Sequence, residues 1–219
     1  MDYHLPDHVS FGLLGRSAVV LDLSADRYFL LDDIDTAVVT ALGAPKRPGS
    51  PCARLEALIR RGFVRPGPGT PVAPVEAAPL RRSALESRRD DGALPLWQVA
   101  HLRIHAGAAL RWRGLAAAIG QARKRRLRLC KDGDRLSPGE AGMIARGYDK
   151  TRVFVPAQRL CVPDSLALAQ ALWCRGIAAD VFFGVRLNPF AAHAWVQQEN
   201  LLLSDPLNIV ADYTPVFRL

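Results

Sequence analysis

Three side chains in the second half of the chain have the chemical types and the order of a thiol nucleophile with its base and an orienting acid. Cys161 begins a predicted helix, in the run LCVPDSLALAQALWCRG at 160–176. His193 follows on a predicted strand, and Asp205 ends the next predicted strand. A helix N-terminus and a neighbouring imidazole both stabilise a thiolate. A path from helix to strand to hairpin can bring these groups together, so the spacing predicts a nucleophilic cysteine site.

Each of these residues also has a purely structural explanation. A buried cysteine most often packs as a small apolar side chain, and a single histidine on a strand is usually structural. An aspartate before a proline commonly forms a turn, and Asp212 is the alternative acid if the hairpin register differs. Cys174 lies near the far end of the same predicted helix. At about 100° per residue it points away from the Cys161 face of the helix, so we expect Cys174 to belong to the core.

The residues around this site resemble a known family. Residues 161–197 read CVPDSLALAQALWCRGIAADVFFGVRLNPFAAHAWVQ. This run resembles the protease domain of lasso-peptide maturation proteins, whose pattern has the form C-L-x-x-S-L-A-L…R-G-I-x-A…G-V…P-F-x-A-H-A-W-V-E. The chain departs from the pattern at Gln197, which replaces the usual acid, and in the Gln-Glu-Asn turn that follows. The resemblance implies that Cys161, His193 and Asp205 are the catalytic groups of a transglutaminase-like or papain-like cysteine peptidase.

Residues 1–65 predict a small domain of strands followed by helices. Three short apolar or alternating runs, separated by turn residues, predict an antiparallel meander. Two helices and a short extended piece follow. The predicted strands lie within 8–31, and the helices cover about 33–42 and 51–61. By the same resemblance, this winged-helix-like unit is similar to the leader-recognition domain that is fused to the protease in some lasso-peptide systems.

In such domains the leader peptide of the precursor adds as a strand to the edge of the sheet. The resemblance places the third strand and the second helix beside the leader. The residues implied in leader binding are Tyr28, Phe29, Leu30, Leu31, Leu55, Leu58 and Ile59. Any of them can equally be a core residue of a small domain, and the sequence leaves both roles open.

A linker and a second domain complete the predicted organisation. Residues 66–79 hold five prolines and two glycines, and the Arg-rich stretch after them extends the predicted linker over 66–95. The protease domain is expected at 96–219. It should contain three helices followed by extended runs. The first covers about 96–122, the second begins after an N-cap at Ser137 and ends at about 149, and the third covers about 162–175. Helices that lead into an antiparallel sheet predict an α+β fold.

The charge distribution limits the partners of the chain. The net charge of +8 is concentrated in residues 81–131, with 13 basic and three acidic side chains, whereas residues 1–42 hold seven acidic and two basic ones. Acidic residues in the winged-helix-like unit would repel phosphate, so we expect no nucleic-acid partner.

His101 and His105 have i, i+4 spacing but lack a third ligand, so no metal or other cofactor is predicted. The chain shows no secretory signal and no 18-residue apolar run, which predicts a cytoplasmic protein without a membrane partner.

The site residues predict a nucleophilic cysteine, and the resemblance implies a cysteine endopeptidase that binds the leader of a lasso-peptide precursor and cleaves it from the core peptide before macrocyclisation. The resemblance implies two partners, the precursor leader peptide and the ATP-dependent macrocyclase of the same pathway. The alternative is a catalytically inactive adaptor that binds the leader and presents it to the cyclase.

Overall fold

The computed structural model describes residues 2–44, 52–87, 91–130 and 138–219. The predicted N-cap Ser137 lies outside these ranges. The protein is a mixed α+β molecule that divides into two units. The first unit comprises residues 1–76 and 214–217, and the second comprises residues 77–213 and 218–219.

The described residues of the first unit form two three-stranded sheets and two helices. Its elements are β1 (Tyr3–Leu5), β2 (Val9–Leu14), β3 (Ser17–Asp22), β4 (Arg27–Leu31), α1 (Asp33–Gly43), α2 (Ala53–Arg60), β5 (Arg65–Pro66) and β6 (Thr70–Pro71). The sheet orders are β2–β3–β4 and β5–β1–β6. The carboxylate of Asp32 caps α1 by accepting a hydrogen bond from the backbone N–H of Asp35 at 2.7 Å. The three strands of the meander and both helices lie where the sequence predicts them.

The second unit contains long helices and most of a larger sheet. Its elements are β7 (Arg82–Ser83), α3 (Leu96–Leu129), α4 (Pro138–Arg152), α5 (Cys161–Trp173), β8 (Asp180–Leu187), β9 (Phe190–Gln198), β10 (Leu201–Leu202) and α6 (Leu207–Val210). Within this unit the strand order is β8–β9–β10–β7. The last strand of the chain is β11 (Thr214–Arg218). Helix α5 is buried from Asp164 to Trp173, as expected for a largely apolar helix enclosed by its neighbours. None of the described helices has the length and apolar character needed to cross a bilayer.

The predicted linker differs from the structure in its local pairing. Residues 70–71 form β6 and pair with β1, because prolines are compatible with short edge strands. Residues 82–83 form β7 and pair in parallel with β10. Residues 66–76 of the predicted linker therefore belong to the first unit. The described residues of 77–95 belong to the second unit.

Helix α3 is longer than the pattern predicts, and it contains a break. The expected helix over 96–122 continues to Leu129, and its backbone leaves the helical conformation at Gly114, where φ is 76°. Glycine adopts this left-handed φ without the steric cost that a side chain brings.

The prediction that Cys174 is a core residue is wrong. Helix α5 ends at Trp173, so Cys174 is the C-cap residue and is exposed.

Candidate functional site

Cys161 is the first residue of α5, and several groups stabilise its thiolate. Leu160 is the N-cap residue, so the N–H groups of the first helical turn surround the cysteine. Burial alone would raise the pKa of the thiol. A hydrogen bond with His193, the backbone N–H groups of Ala194 and Val162, and the charge of His193 outweigh burial and lower the pKa below its usual 9.0. Cys161 therefore has the environment of a reactive thiolate.

His193 lies on β9, with one ring nitrogen facing Asp205. The Nε2 atom is 3.3 Å from Oδ1 of Asp205, which is an ion-pair distance. This buried N–H is not aligned on the carboxylate as a good hydrogen bond requires, although the two groups lie within ion-pair distance. Such contacts often tighten only when substrate binds. Because Nε2 faces Asp205, Nδ1 is the ring nitrogen left for the thiol of Cys161.

The imidazole of His193 favours its protonated form. Burial alone would lower its pKa, but contacts with Asp205 and Cys161 and the negative charges of both groups more than offset burial. They raise the pKa from 6.5 to about 9. The pKa of Cys161 falls while that of His193 rises, and these opposite shifts are consistent because each charged form stabilises the other. At neutral pH the imidazole is therefore expected to be protonated, and its charge favours the thiolate of Cys161.

The position of Asp205 is fixed by hydrogen bonds to its carboxylate and to its backbone carbonyl. Its Oδ2 accepts a hydrogen bond from Ser204 Oγ at 2.5 Å, and the same hydroxyl accepts one from the backbone N–H of Val196 on β9 at 2.9 Å. Ser83 Oγ on β7 donates to the backbone carbonyl of Asp205 at 2.6 Å. The Asp205 carboxylate is thus held beside the strand that carries His193. Asp212, the alternative acid, is exposed.

The three groups line one cavity of about 180 Å³. Its wall combines apolar side chains with charged ones from α4 and from the loop before α5. The other lining residues are Ala145, Tyr148, Asp149, Arg152, Arg159, Leu160, Asp164, Ser165, Leu168, Ala194, Leu203 and Ser204. A cavity of this size beside a thiolate can accept one side chain or a short peptide segment. Tyr213 packs against the His193 ring, with centroids 5.5 Å apart.

The residues implied in leader binding have different environments in the first unit. Leu31, Leu55 and Leu58 are 1%, 3% and 0% exposed, and they belong to its hydrophobic core. Phe29 and Ile59 are partly buried against that core. The structure therefore leaves the side chain of Leu30, which is 59% exposed, as the one most open to a ligand among the seven, with Tyr28 half-buried.

Gln197 shows why the chain tolerates its departure from the family pattern. The side chain is 2% exposed, and its Nε2 donates to the carbonyls of Ala78 and Glu199 at 2.6 and 2.5 Å. Its Oε1 accepts a hydrogen bond from Trp195 Nε1 at 3.1 Å. An ionised acid could not donate to these two carbonyls. The amide thus matches its local partners, and it lies outside the group of three residues around Cys161.

The sequence analysis missed Ser204 and Ser83, which orient Asp205. A serine directly before the predicted acid was a visible signal, whereas Ser83 lies 122 residues from Asp205 in a predicted linker.

His101 and His105 are exposed on α3, with ring centroids 6.0 Å apart. Among the residues that the structure describes, no three His, Cys, Asp or Glu side chains form a group that could hold a metal ion.

Replacing Asp205 by asparagine should raise the pH at which Cys161 becomes reactive. Loss of the carboxylate removes a charge that favours the imidazolium, and a weaker imidazolium stabilises the thiolate less. We expect the midpoint of the pH profile for Cys161 alkylation by iodoacetamide to move up by about one pH unit. Peptide mapping by mass spectrometry measures alkylation at this site alone. Asp212→Asn is the matched control, and an unchanged midpoint in Asp205→Asn would show that Asp205 does not act on His193.

Comparison with protein-family models places this site in a known superfamily. Residues 101–218 match the model described as the transglutaminase-like superfamily, in which cysteine peptidases are common. The match covers more than half of the chain and includes Cys161, His193 and Asp205. Neither the curated proteins nor the solved structures include a match to the chain. The chain therefore belongs to the transglutaminase-like superfamily.

Proposed function

We propose that the protein is a cysteine endopeptidase that removes the leader from a lasso-peptide precursor. The observation that carries the peptidase activity is the contact of the Cys161 thiol with His193, which in turn lies 3.3 Å from Asp205. The environment lowers the pKa of the thiol, as a nucleophile requires. The choice of a lasso-peptide precursor rests on the resemblance of residues 161–197.

The proposed reaction forms and then hydrolyses a thioester. The thiolate of Cys161 attacks the carbonyl carbon of the peptide bond between leader and core. The backbone N–H of Cys161, at the start of α5, donates to the oxygen that becomes negative. The imidazolium of His193 gives its proton to the departing amine of the core peptide. His193 then takes a proton from water, which attacks the thioester and releases the leader as a carboxylic acid.

Substrate binding is proposed to begin at the first unit. Strand β4 is an edge strand of the sheet β2–β3–β4, so a leader peptide can add to it by main-chain hydrogen bonds. The exposed side chain of Leu30 would contact the added strand. Binding at this edge tethers the precursor and raises the effective concentration of its cleavage site. The freed core amine suits an ATP-dependent macrocyclase as the next enzyme, and this enzyme is the proposed second partner.

Replacing Leu30 by aspartate should weaken the use of full-length precursor without affecting the chemical step. A charge on the edge strand opposes strand addition and removes an apolar contact. We expect KM for full-length precursor to rise about 10-fold, a loss typical of one buried apolar contact. Initial rates by liquid chromatography should show an unchanged kcat/KM for a short peptide that spans only the cleavage site. Leu13→Asp is the matched control, because Leu13 is 37% exposed on β2, at the other edge of the same sheet. Equal effects of the two substitutions would contradict leader addition at β4.

The test of the proposed function is mass spectrometry of lasso-peptide precursors after incubation with the full-length protein, alone and with the cyclase. The expected products are an intact leader with a free carboxylate and a core peptide with a free amine. The absence of both products under both conditions would contradict the proposal.

One observation favours the adaptor alternative, namely the poor alignment of the His193 Nε2–H in the free protein. An adaptor would bind the leader without producing either fragment.

A further inference from the structure

Arg103 is a buried cation that connects α3 to the start of α5. Its side chain is 2% exposed, on the same helical face as the buried residues Val99, Leu102 and Ala106. The guanidinium binds the carboxylate of Asp164 through Nε, at 2.7 Å from Oδ1, and through Nη2, at 3.4 Å from Oδ2. Asp164 lies in the first turn of α5, close after Cys161, and lines the same cavity. Arg103 thus reaches the catalytic helix from a distant part of the chain.

The same guanidinium also binds the segment that leads to Cys161. Nη1 donates to the carbonyl of Arg152 at 2.9 Å and lies 3.5 Å from that of Val155. Nη2 lies 3.4 and 3.3 Å from the carbonyls of Ala157 and Gln158. Four carbonyls, one from the last residue of α4 and three from the loop before α5, therefore converge on one side chain. The planar fork of arginine can serve several acceptors at once, which the ammonium of lysine does poorly.

This segment forms one side of the cavity. Arg152 at its start and Arg159 and Leu160 at its end all line the cavity beside Cys161. The ends of the segment that Arg103 binds therefore form part of the cavity wall beside the thiolate. A displacement of about 1 Å in a group that positions substrate can reduce a rate by about 10²-fold.

Charged and titratable groups from every neighbouring element surround Cys161. Asp164 is the acidic group on its own helix, and Arg103 neutralises it, with a second contact from Arg152 Nη1 at 3.6 Å. Burial and the charge of Asp164 raise the pKa of Tyr148, whose hydroxyl donates to the Asp164 carbonyl. The groups that line the cavity with Cys161 are Tyr148, Asp149 and Arg152 from α4, Arg159 from the loop, Asp164 from α5, His193 from β9, and Asp205.

We propose that Arg103 is a positioning residue for Cys161: it binds the segment 152–158, and so holds the cavity wall formed by Arg152, Arg159 and Leu160 at the two ends of that segment, and it cancels the charge of Asp164 beside the thiolate. This inference deepens the proposed function and rests on it for the cleavage readout. The alkylation readout is independent of any substrate. The two roles make different demands on the side chain, because a positive charge is enough to neutralise Asp164, whereas the wall requires the guanidinium fork.

The electrostatic role is tested by the pH profile of Cys161 alkylation in two opposite variants. Arg103→Met leaves Asp164 with less compensation, so the midpoint should rise by about one pH unit. Asp164→Asn leaves Arg103 unbalanced, so the midpoint should fall. Iodoacetamide is the probe, and mass spectrometry reads Cys161 separately from the exposed Cys174, which serves as the internal reference. General structural damage would move both variants in the same direction, and that result, like two unchanged midpoints, would overturn the electrostatic role.

The wall is tested with Arg103→Lys, which keeps the buried charge and also carries the test if Arg103→Met does not fold. We expect a parental alkylation midpoint but a fall in kcat/KM for precursor cleavage of about 10²-fold, with a raised KM. Parental cleavage by Arg103→Lys would overturn the role in the wall. If the parent protein cleaves no precursor, the proposed function fails, while the alkylation shifts still test Arg103.

The matched control is Arg125, which joins the same two helices, α3 and α5, at a point farther from Cys161. Arg125 on α3 donates to Gln170 Oε1 at 3.0 Å, in the second half of α5 and away from Cys161. Arg125→Met should leave both the alkylation midpoint and KM unchanged. If Arg125→Met reproduced the effects of Arg103→Met, any loss of contact between α3 and α5 would suffice, and Arg103 would have no specific role. Circular dichroism melts show which variants remain folded.

Discussion

Replacing Cys161 by alanine is expected to reduce precursor cleavage by at least about 10³-fold, because the reaction then lacks its nucleophile. Two serine hydroxyls, those of Ser165 and Ser204, line the same cavity. Neither can take over, because Ser165 Oγ donates to the carbonyl of Ala194 at 2.9 Å and Ser204 Oγ donates to Asp205. Among the described residues that line the cavity, Cys161 is therefore the proposed nucleophile.

The measurement is the initial rate of precursor cleavage with Cys161→Ala and with Cys174→Ala as the matched control. Both substitutions remove one thiol from α5 or its cap, but Cys174 is exposed at the opposite end of the helix. Cys174→Ala should cleave at the parental rate. Parental cleavage by Cys161→Ala would exclude the thioester mechanism. Loss of cleavage with unchanged leader binding, measured by fluorescence polarisation, would separate the peptidase from the adaptor alternative.

The secondary structure near the site follows from local sequence signals. An apolar run after Leu160 predicts α5, and its buried length explains why almost every residue is small or apolar. The β8–β9 and β9–β10 pairings also follow the predicted order of runs, because short turns between apolar segments favour antiparallel neighbours. These local features are enough to predict that Cys161, His193 and Asp205 are close together.

The long-range contacts that fix these groups were not predictable from local patterns. Arg103 interrupts an apolar helix and looks like a solvent-exposed cation, yet the structure buries it on Asp164. Val99, Leu102 and Ala106 are its apolar neighbours on the same face of the helix. This placement on an apolar face was the sequence signal that Arg103 is buried. Ser83 supports Asp205 only because β7 pairs in parallel with β10, and two-residue strands have no reliable sequence pattern.

The residues that the resemblance implies in leader binding show a second limit of sequence analysis. An apolar side chain on a strand or helix fits both a core and a peptide-binding surface, because both require apolar contacts. Burial separates the two roles: Leu55 and Leu58 are fully engaged in the core, whereas Leu30 projects from an edge strand. A family pattern can therefore indicate which elements contact a ligand, but it does not show which side chains remain accessible.

Replacing His193 by alanine is expected to reduce cleavage at neutral pH by at least about 10³-fold, through two separate losses. The thiol loses the imidazolium that lowers its pKa, while burial continues to oppose the thiolate. Alkylation of Cys161 should therefore need a higher pH than in the parent protein. The departing amine also loses its proton donor, and a higher pH cannot replace that donor.

These two losses predict different recoveries in His193→Ala. As the pH rises above the new thiol pKa, alkylation by iodoacetamide should return, because this reaction needs only the thiolate. Precursor cleavage should remain low at the same pH, because breaking the peptide bond also needs a proton for the amine. His101→Ala is the matched control, since His101 is exposed on α3. If cleavage recovered in parallel with alkylation, His193 would act only by stabilising the thiolate and would not be the acid of the reaction.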